Sequence, residues 1–203
     1  MKKIPTLFQR DPDDMRHVLR EVHPDCQWVL DGEGAPTHKF DGTCFLYSNV
    51  EEKWWARREV KPGKTPPPGF VAVETDEFTG KTVGWEPAEQ SPFAKYHAEA
   101  LTSWHDPVLD EWPTRTPVPG ATYELIGPKV NGNPEGMAGD HVLVRHGYLA
   151  AVDRDDLASL TLTFDGLRDW LLAHDWEGIV WHHPDGRMAK LKRRDFQAVM
   201  GRE

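Results

Sequence analysis

Cysteine is scarce. The chain of 203 residues has two, Cys26 and Cys44. They do not form the close pair that a structural metal site uses. They can make one disulfide or stand as two thiols, and two thiols in an intracellular protein are the expectation. No apolar run approaches the ~20 residues of a membrane span. The opening stretch MKKIPTLFQRDPDD lacks the apolar segment of a secretory signal. These absences predict a cytoplasmic protein that does not use a membrane. Positive charge is also in deficit, with 24 Lys and Arg against 33 Asp and Glu, a formal net charge of −9. That balance argues against broad, nonspecific attraction to nucleic-acid phosphates, although a local basic groove remains compatible with it.

What is present suffices for a folded core. Hydrophobic residues make up 38% of the chain and there are nine tryptophans, so disorder is not expected. The length suits a single domain over 1–203. The basic residues gather in KWWARREVKPGK (53–64) and RMAKLKRRDF (187–196). Such runs are often no more than solvated faces, or together they make one anion site.

Periodicity gives a coarse order of elements. The spacing of Met15, Val18, Leu19 and Val22 behind an acid-rich start predicts a helix over 11–22, within an N-terminal helical segment spanning 1–29. Residues 37–48 read as a strand, 53–60 as a second, and 61–69 as a Pro/Gly loop. Residues 70–87 read as a hairpin, 92–104 as a helix, 122–127 and 141–146 as strands, and 164–174 as a helix. Residues 178–193 read as a hairpin turning at Pro184-Asp185-Gly186. Strands and a few helices without regular alternation predict an α+β fold with antiparallel sheets flanked by helices.

Three stretches carry chemistry. Lys39-Phe40-Asp41-Gly42 puts a lysine beside a turn at the edge of an apolar strand. Glu124, in TYELIGPKVNGN, points opposite to its strand neighbours. In WEGIVWHHPDGRMAKLK, Glu177-Gly178 opens a strand, and Lys190 and Lys192 share one face of its hairpin partner. Each stretch alone also suits a solvated strand edge, where lysines discourage pairing with other chains. Together they suit a lysine nucleophile. With an ordinary lysine pKa of ~10.4, only about 0.04% of the amine is neutral at pH 7, a handicap of roughly 4.6 kcal/mol. Neighbouring cations lower that handicap and also hold a phosphate. Carboxylates hold a divalent metal on the phosphate.

These stretches, in this order, resemble motifs I, III, IV and V of the covalent nucleotidyltransferases, the superfamily of polynucleotide ligases and mRNA capping enzymes. The wording HKFDGTC, TYELIGPKVNGNPEG and EGIVWHHPDGRMAKLKR is similar to the small RNA ligase 1 family of 5′-to-3′ RNA ligases, from about residue 30 to 195. The resemblance implies a nucleotidyltransferase domain, an ATP-grasp-like ligase adenylation domain. It implies that Lys39 becomes linked to AMP, that Asp41 and Glu177 serve Mg²⁺ or Mn²⁺, and that Glu124 contacts the ribose. Lys190 and Lys192 would contact the α-phosphate. Gly42 belongs to the same nucleotide-binding set. His38 is a candidate for reading adenine, and Val142 or Val144 for a base platform. Arg57 and Arg58 are both candidates for contacting the nucleotide or the incoming end. Alternation puts them on opposite faces, so one of them is expected to serve.

The implied substrates are ATP and RNA with 5′-phosphate and 3′-hydroxyl ends. Eleven residues follow Lys192, so no OB-fold domain is expected. RNA grip would then come from this domain's own surface, or from an accessory protein. The alternatives are a GTP-using capping-type enzyme, a DNA ligase, and a nonenzymatic nucleotide- or RNA-binding module of the same fold.

Overall fold

The computed structural model describes residues 3–102, 117–147 and 154–196. Its strands are β1 (Phe8–Arg10), β2 (Val18–Val22), β3 (Ala35–Lys39), β4 (Thr43–Tyr47), β5 (Trp54–Val60), β6 (Val71–Thr75), β7 (Thr82–Pro87), β8 (Thr122–Ile126), β9 (Val142–Arg145), β10 (Gly178–His182) and β11 (Met188–Lys192). Its α-helices are α1 (Gln27–Leu30), α2 (Ala94–Thr102), α3 (Arg154–Ala158) and α4 (Phe164–Ala173). All the strand pairs within the sheets are antiparallel. This is the α+β class that the sequence predicts. Among the described residues, no helix is long and apolar enough to cross a membrane.

The described residues divide into two compact units, one of residues 3–40 and 154–196, the other of residues 41–102 and 117–147. The first unit holds the two-stranded sheet β1-β2 and the three-stranded sheet β11-β10-β3. One face of the larger sheet is apolar. Ile179, Trp181, Ala189 and Leu191 there pack with Leu167, Trp170 and Leu171 of α4. Helix α4 forms because Thr163 caps it, its hydroxyl accepting the Gly166 N–H, and because its apolar residues recur at three and four. The outer edge of β11 is covered. Leu7 N–H donates to the Lys190 carbonyl at 2.8 Å, and Lys190 N–H donates to the Pro5 carbonyl at 3.0 Å.

The expected helix over 11–22, and with it the N-terminal helical segment of 1–29, is not found. Residues 18–22 are strand β2, and the helical turns of that region are confined to Pro24–Cys26 and Gln27–Leu30. The acid-rich stretch is used for turns instead of a helix start: Asp11 accepts the Asp13 N–H, and Asp14 accepts the Arg16 N–H. Of the four residues of the supposed stripe, Met15 and Leu19 are exposed. Val18 and Val22 pack into the core, and Arg20 beside them lies over the Phe164 ring at 4.7 Å.

The second unit is a six-stranded sheet of order β6-β7-β5-β4-β8-β9. One face carries Phe45, Ala56, Tyr123, Leu125 and Leu143, packed with Ala100 of α2. The other carries a smaller apolar group, Cys44, Trp55 and Trp85. The single strand expected over 37–48 is two. β3 pairs in the first unit and β4 in the second, with the break at residues 40–42. Gly42 is needed there, because a Cβ would lie 2.2 Å from the Leu125 carbonyl oxygen. The helix expected over 92–104 spans Ala94–Thr102, and its last two residues lie outside the described set.

Candidate functional site

In the first unit, register brings the lysines together. Gly178 stands opposite Lys39 on one side and Lys192 on the other, while Val180 stands between Thr37 and Lys190. Opposed strand residues share a face, and so do residues two apart. Lys39, Lys190 and Lys192 therefore occupy one face, opposite the apolar one. Glu177, just before β10, supplies the counter-charge. Its two carboxylate oxygens accept hydrogen bonds from the ammonium groups of Lys39 and Lys192. All three side chains are largely enclosed, at 21, 13 and 13% exposure for Lys39, Glu177 and Lys192.

Gly178 has a packing role. A Cβ there would meet the Leu191 carbonyl oxygen at 2.2 Å and the Lys192 Cα at 2.9 Å. The end of β11 is held by Asp195, almost fully buried, which accepts the Lys192 N–H at 2.9 Å and pairs with Arg10 at 2.9 Å.

The electrostatics follow from this packing. Burial alone would raise the Glu177 pKa, but the charge of Lys39 and the hydrogen bonds from Lys192 and Lys39 outweigh it and hold the carboxyl below its usual range. Burial, reinforced by the Lys39 charge, holds Lys192 below the ordinary lysine value against the pull of Glu177. Two ammonium groups on one carboxylate form a set with surplus positive charge, suited to an anion such as a phosphate.

His38 is next to Lys39 but on the opposite face of β3, in the row of Ile179. Its ring stacks on Trp176 at 3.9 Å and packs against Phe40 at 4.1 Å. Burial, with help from the Lys39 charge, lowers its pKa to about 4, so the ring is neutral. His182 and His183 are accounted for locally. His182 shares a hydrogen bond with Thr37 at 3.1 Å, and His183 meets Glu33 at 2.9 Å.

In the second unit, Glu124 stands opposite Cys44 on one side and Val144 on the other. Glu124, Cys44, Val142, Val144 and His146 therefore share the face away from α2. The register also separates the arginines. Arg57 pairs with Trp85, in the set of Trp55 and Cys44, whereas Arg58 pairs with Gly84 on the face of Ala56 and Glu86. Arg58 lies 3.9 Å from buried Glu86, and Arg57 is the one that shares the Glu124 face. Trp54 and Trp55 divide in the same way. Trp54 packs on Tyr123 and His97, and Trp55 lies under the Lys53 ammonium at 4.2 Å.

Asp41 and Gly42 are fastened by the loop after β8. Glu135 accepts the Asp41 N–H at 2.7 Å. Asn131 donates to the Asp41 carboxylate at 3.2 Å and to the Gly42 carbonyl at 2.7 Å. Glu124 accepts the Gly42 N–H at 3.1 Å. The sequence pattern marks Asn131 only as a turn residue and does not mark Glu135, His146, Arg10 or Asp195. Their partners lie far along the chain, and no local spacing marks them.

The described residues thus form an antiparallel α+β architecture, with a lysine row and the Glu177 carboxylate on one sheet of the first unit. Comparison with known proteins adds the particular likeness. A family model described as RNA ligase 1 matches residues 109–199, which include Glu124, Glu177, Lys190 and Lys192. RNA ligase 1 of Pongo abelii is 27% identical, over 78% of this chain and 66% of that protein. RNA ligase 1 of Danio rerio is 28% identical over 78% and 66%, and that of Rattus norvegicus 28% over 77% and 65%. The chain thus spans just under two thirds of the length of these curated relatives. The likeness to RNA ligase 1 read from the motifs is borne out.

Proposed function

We propose that the chain is an ATP-dependent RNA ligase with a nucleotidyltransferase fold, in which Lys39 carries AMP. The observation that carries this reading is the row Lys39-Gly178-Lys192 with the Glu177 carboxylate shared between the two ammonium groups. The RNA ligase 1 likeness supports it.

In the first step the Lys39 ammonium gives a proton to solvent, and the neutral amine bonds to the α-phosphorus of ATP. The bond to pyrophosphate breaks in line, and a second amine proton goes to solvent. In the second, AMP passes to a 5′-phosphate on RNA and the Lys39 amine leaves. In the third, a 3′-hydroxyl attacks that activated phosphate and AMP is released. Lys192 and Lys190 place positive charge where the phosphoryl oxygens gain negative charge. Glu177 holds the Lys39 and Lys192 chains in position until the phosphate replaces it as their partner. Glu124 takes the ribose, and Arg57 is the arginine assigned to the nucleotide or the RNA end.

Asp41 and Glu177 would hold Mg²⁺ or Mn²⁺. Glu177 fits such an ion: it is held ionised, and Mg²⁺ commonly takes one or two carboxylates plus substrate phosphate oxygens. The ion supplies neutralisation of phosphate charge.

Protein mixed with Mg²⁺ and α-labelled ATP should retain acid-labile label on the denatured chain. Lys39→Ala should retain none, yet still join RNA that is already adenylated. Unlabelled wild type, or a labelled Lys39→Ala chain, overturns the reading. Preferential labelling by GTP would move it to the capping-type enzymes.

A further inference from the structure

The geometry points to a site for one zinc-class divalent cation in the second unit, formed by Cys44, Glu124 and His146. One donor atom from each, a sulfur, a carboxylate oxygen and an imidazole nitrogen, lie within 4.8 Å of one another. The sheet dictates this. Cys44 and Glu124 are directly opposed on β4 and β8, and His146 follows β9 two residues beyond Val144, which is opposed to Glu124. All three therefore project from one face.

The donors are also held from behind, as metal ligands usually are. His146 Nε2 lies 2.9 Å from one Glu124 oxygen, while its Nδ1 is 2.8 Å from the Thr122 hydroxyl. Without an ion, Nε2–H donates to the Glu124 carboxylate and Nδ1 accepts from the Thr122 hydroxyl; when an ion binds, the ring proton moves to Nδ1, which donates to Thr122 and frees the Nε2 lone pair. The other Glu124 oxygen accepts the Gly42 N–H at 3.1 Å. Cys44 is almost buried, and His146 keeps a solvent path at 29% exposure.

Thiolate, imidazole and carboxylate together select Zn²⁺ or Co²⁺ over Mg²⁺ or Ca²⁺, with a water in the fourth position. On binding, Cys44 gives up its thiol proton to solvent. One corollary rests on the ligase reading: Glu124 serves either the ribose or the ion, so zinc and nucleotide compete for it.

Cobalt is the probe. Reduced protein titrated with Co²⁺ should show a sulfur-to-cobalt charge-transfer band that saturates at one ion per chain and is displaced by Zn²⁺. Cys44→Ser should abolish the band and Cys26→Ser should keep it. Thr122→Val, which removes only the support behind His146, should keep the band but weaken affinity by about 10-fold or more. Absence of the band, its survival in Cys44→Ser, or unchanged affinity in Thr122→Val overturns the site. None of these readouts requires ligase activity. The corollary is read separately, as zinc suppression of adduct labelling that Cys44→Ser relieves.

Discussion

His97 should make the protein sensitive to mild acid, and His97→Phe should remove that sensitivity. The His97 ring is buried, stacked on Phe45 at 4.3 Å and edge-on to Trp54 at 4.9 Å. Its Nε2 has no hydrogen-bond partner among the described residues. Burial lowers its pKa to about 4 from the ordinary 6.5. The folded value lies below the unfolded one, so the unfolded chain takes the proton first as pH falls. Stability should therefore drop from pH 6.5 downward and level off below pH 4. The whole gap is worth about 3.4 kcal/mol, of which about 2 kcal/mol develops between pH 7 and pH 5.

Phenylalanine keeps the stack and removes both the titration and the unpartnered nitrogen. The variant should be at least as stable as wild type at pH 7, and its advantage should grow by about 2 kcal/mol at pH 5. With a typical urea slope, that is a difference in unfolding midpoint of about 1 M. Urea melts at pH 7, 6 and 5 measure it. Wild-type and variant midpoints falling in parallel would refute the burial argument.

Glu177→Gln tests a different window. The folded Glu177 pKa is depressed, so its contribution is present above the ordinary glutamate range and lost as pH falls through the folded value. The variant should flatten stability loss below pH ~4.5 and leave the His97 window unchanged, as read by the same melts. Gly178→Ala should cost about 1–3 kcal/mol or more by overpacking, because backbone atoms lie where the methyl would go, and it should depress adduct labelling. Asn131→Ala removes two hydrogen bonds to Asp41 and Gly42. It should cost about 1–3 kcal/mol in stability and slow adduct formation, measured by single-turnover labelling. Asp195→Ala, which leaves Arg10 without its carboxylate, should cost about 3 kcal/mol in urea melts.

Much of this arrangement is legible along the chain. The turn residues Pro184-Asp185-Gly186, with alternation on either side, identify the β10-β11 hairpin and put Lys190 and Lys192 on one face. The three- and four-residue spacing of Leu167, Trp170 and Leu171 identifies α4. What the chain withholds depends on register and distant partners. Alternation separates Arg57 from Arg58, but only the pairing of β4, β5 and β8 tells which shares the Glu124 face. The acidic start of 11–22 suits a helix cap or a series of side-chain turns equally well. Pairing of Phe8 with Val22 decides for the turns. The Cys44-Glu124-His146 cluster draws on three segments spread over a hundred residues, so no spacing rule detects it.

The backbone bonds from Pro5 and Leu7 to Lys190 carry a practical warning for anyone trimming this protein. A truncation past Leu7 would leave a bare, sticky ribbon margin beside the lysines, inviting self-association between chains. Affinity handles are best tolerated upstream of Lys3, where they leave that seam closed.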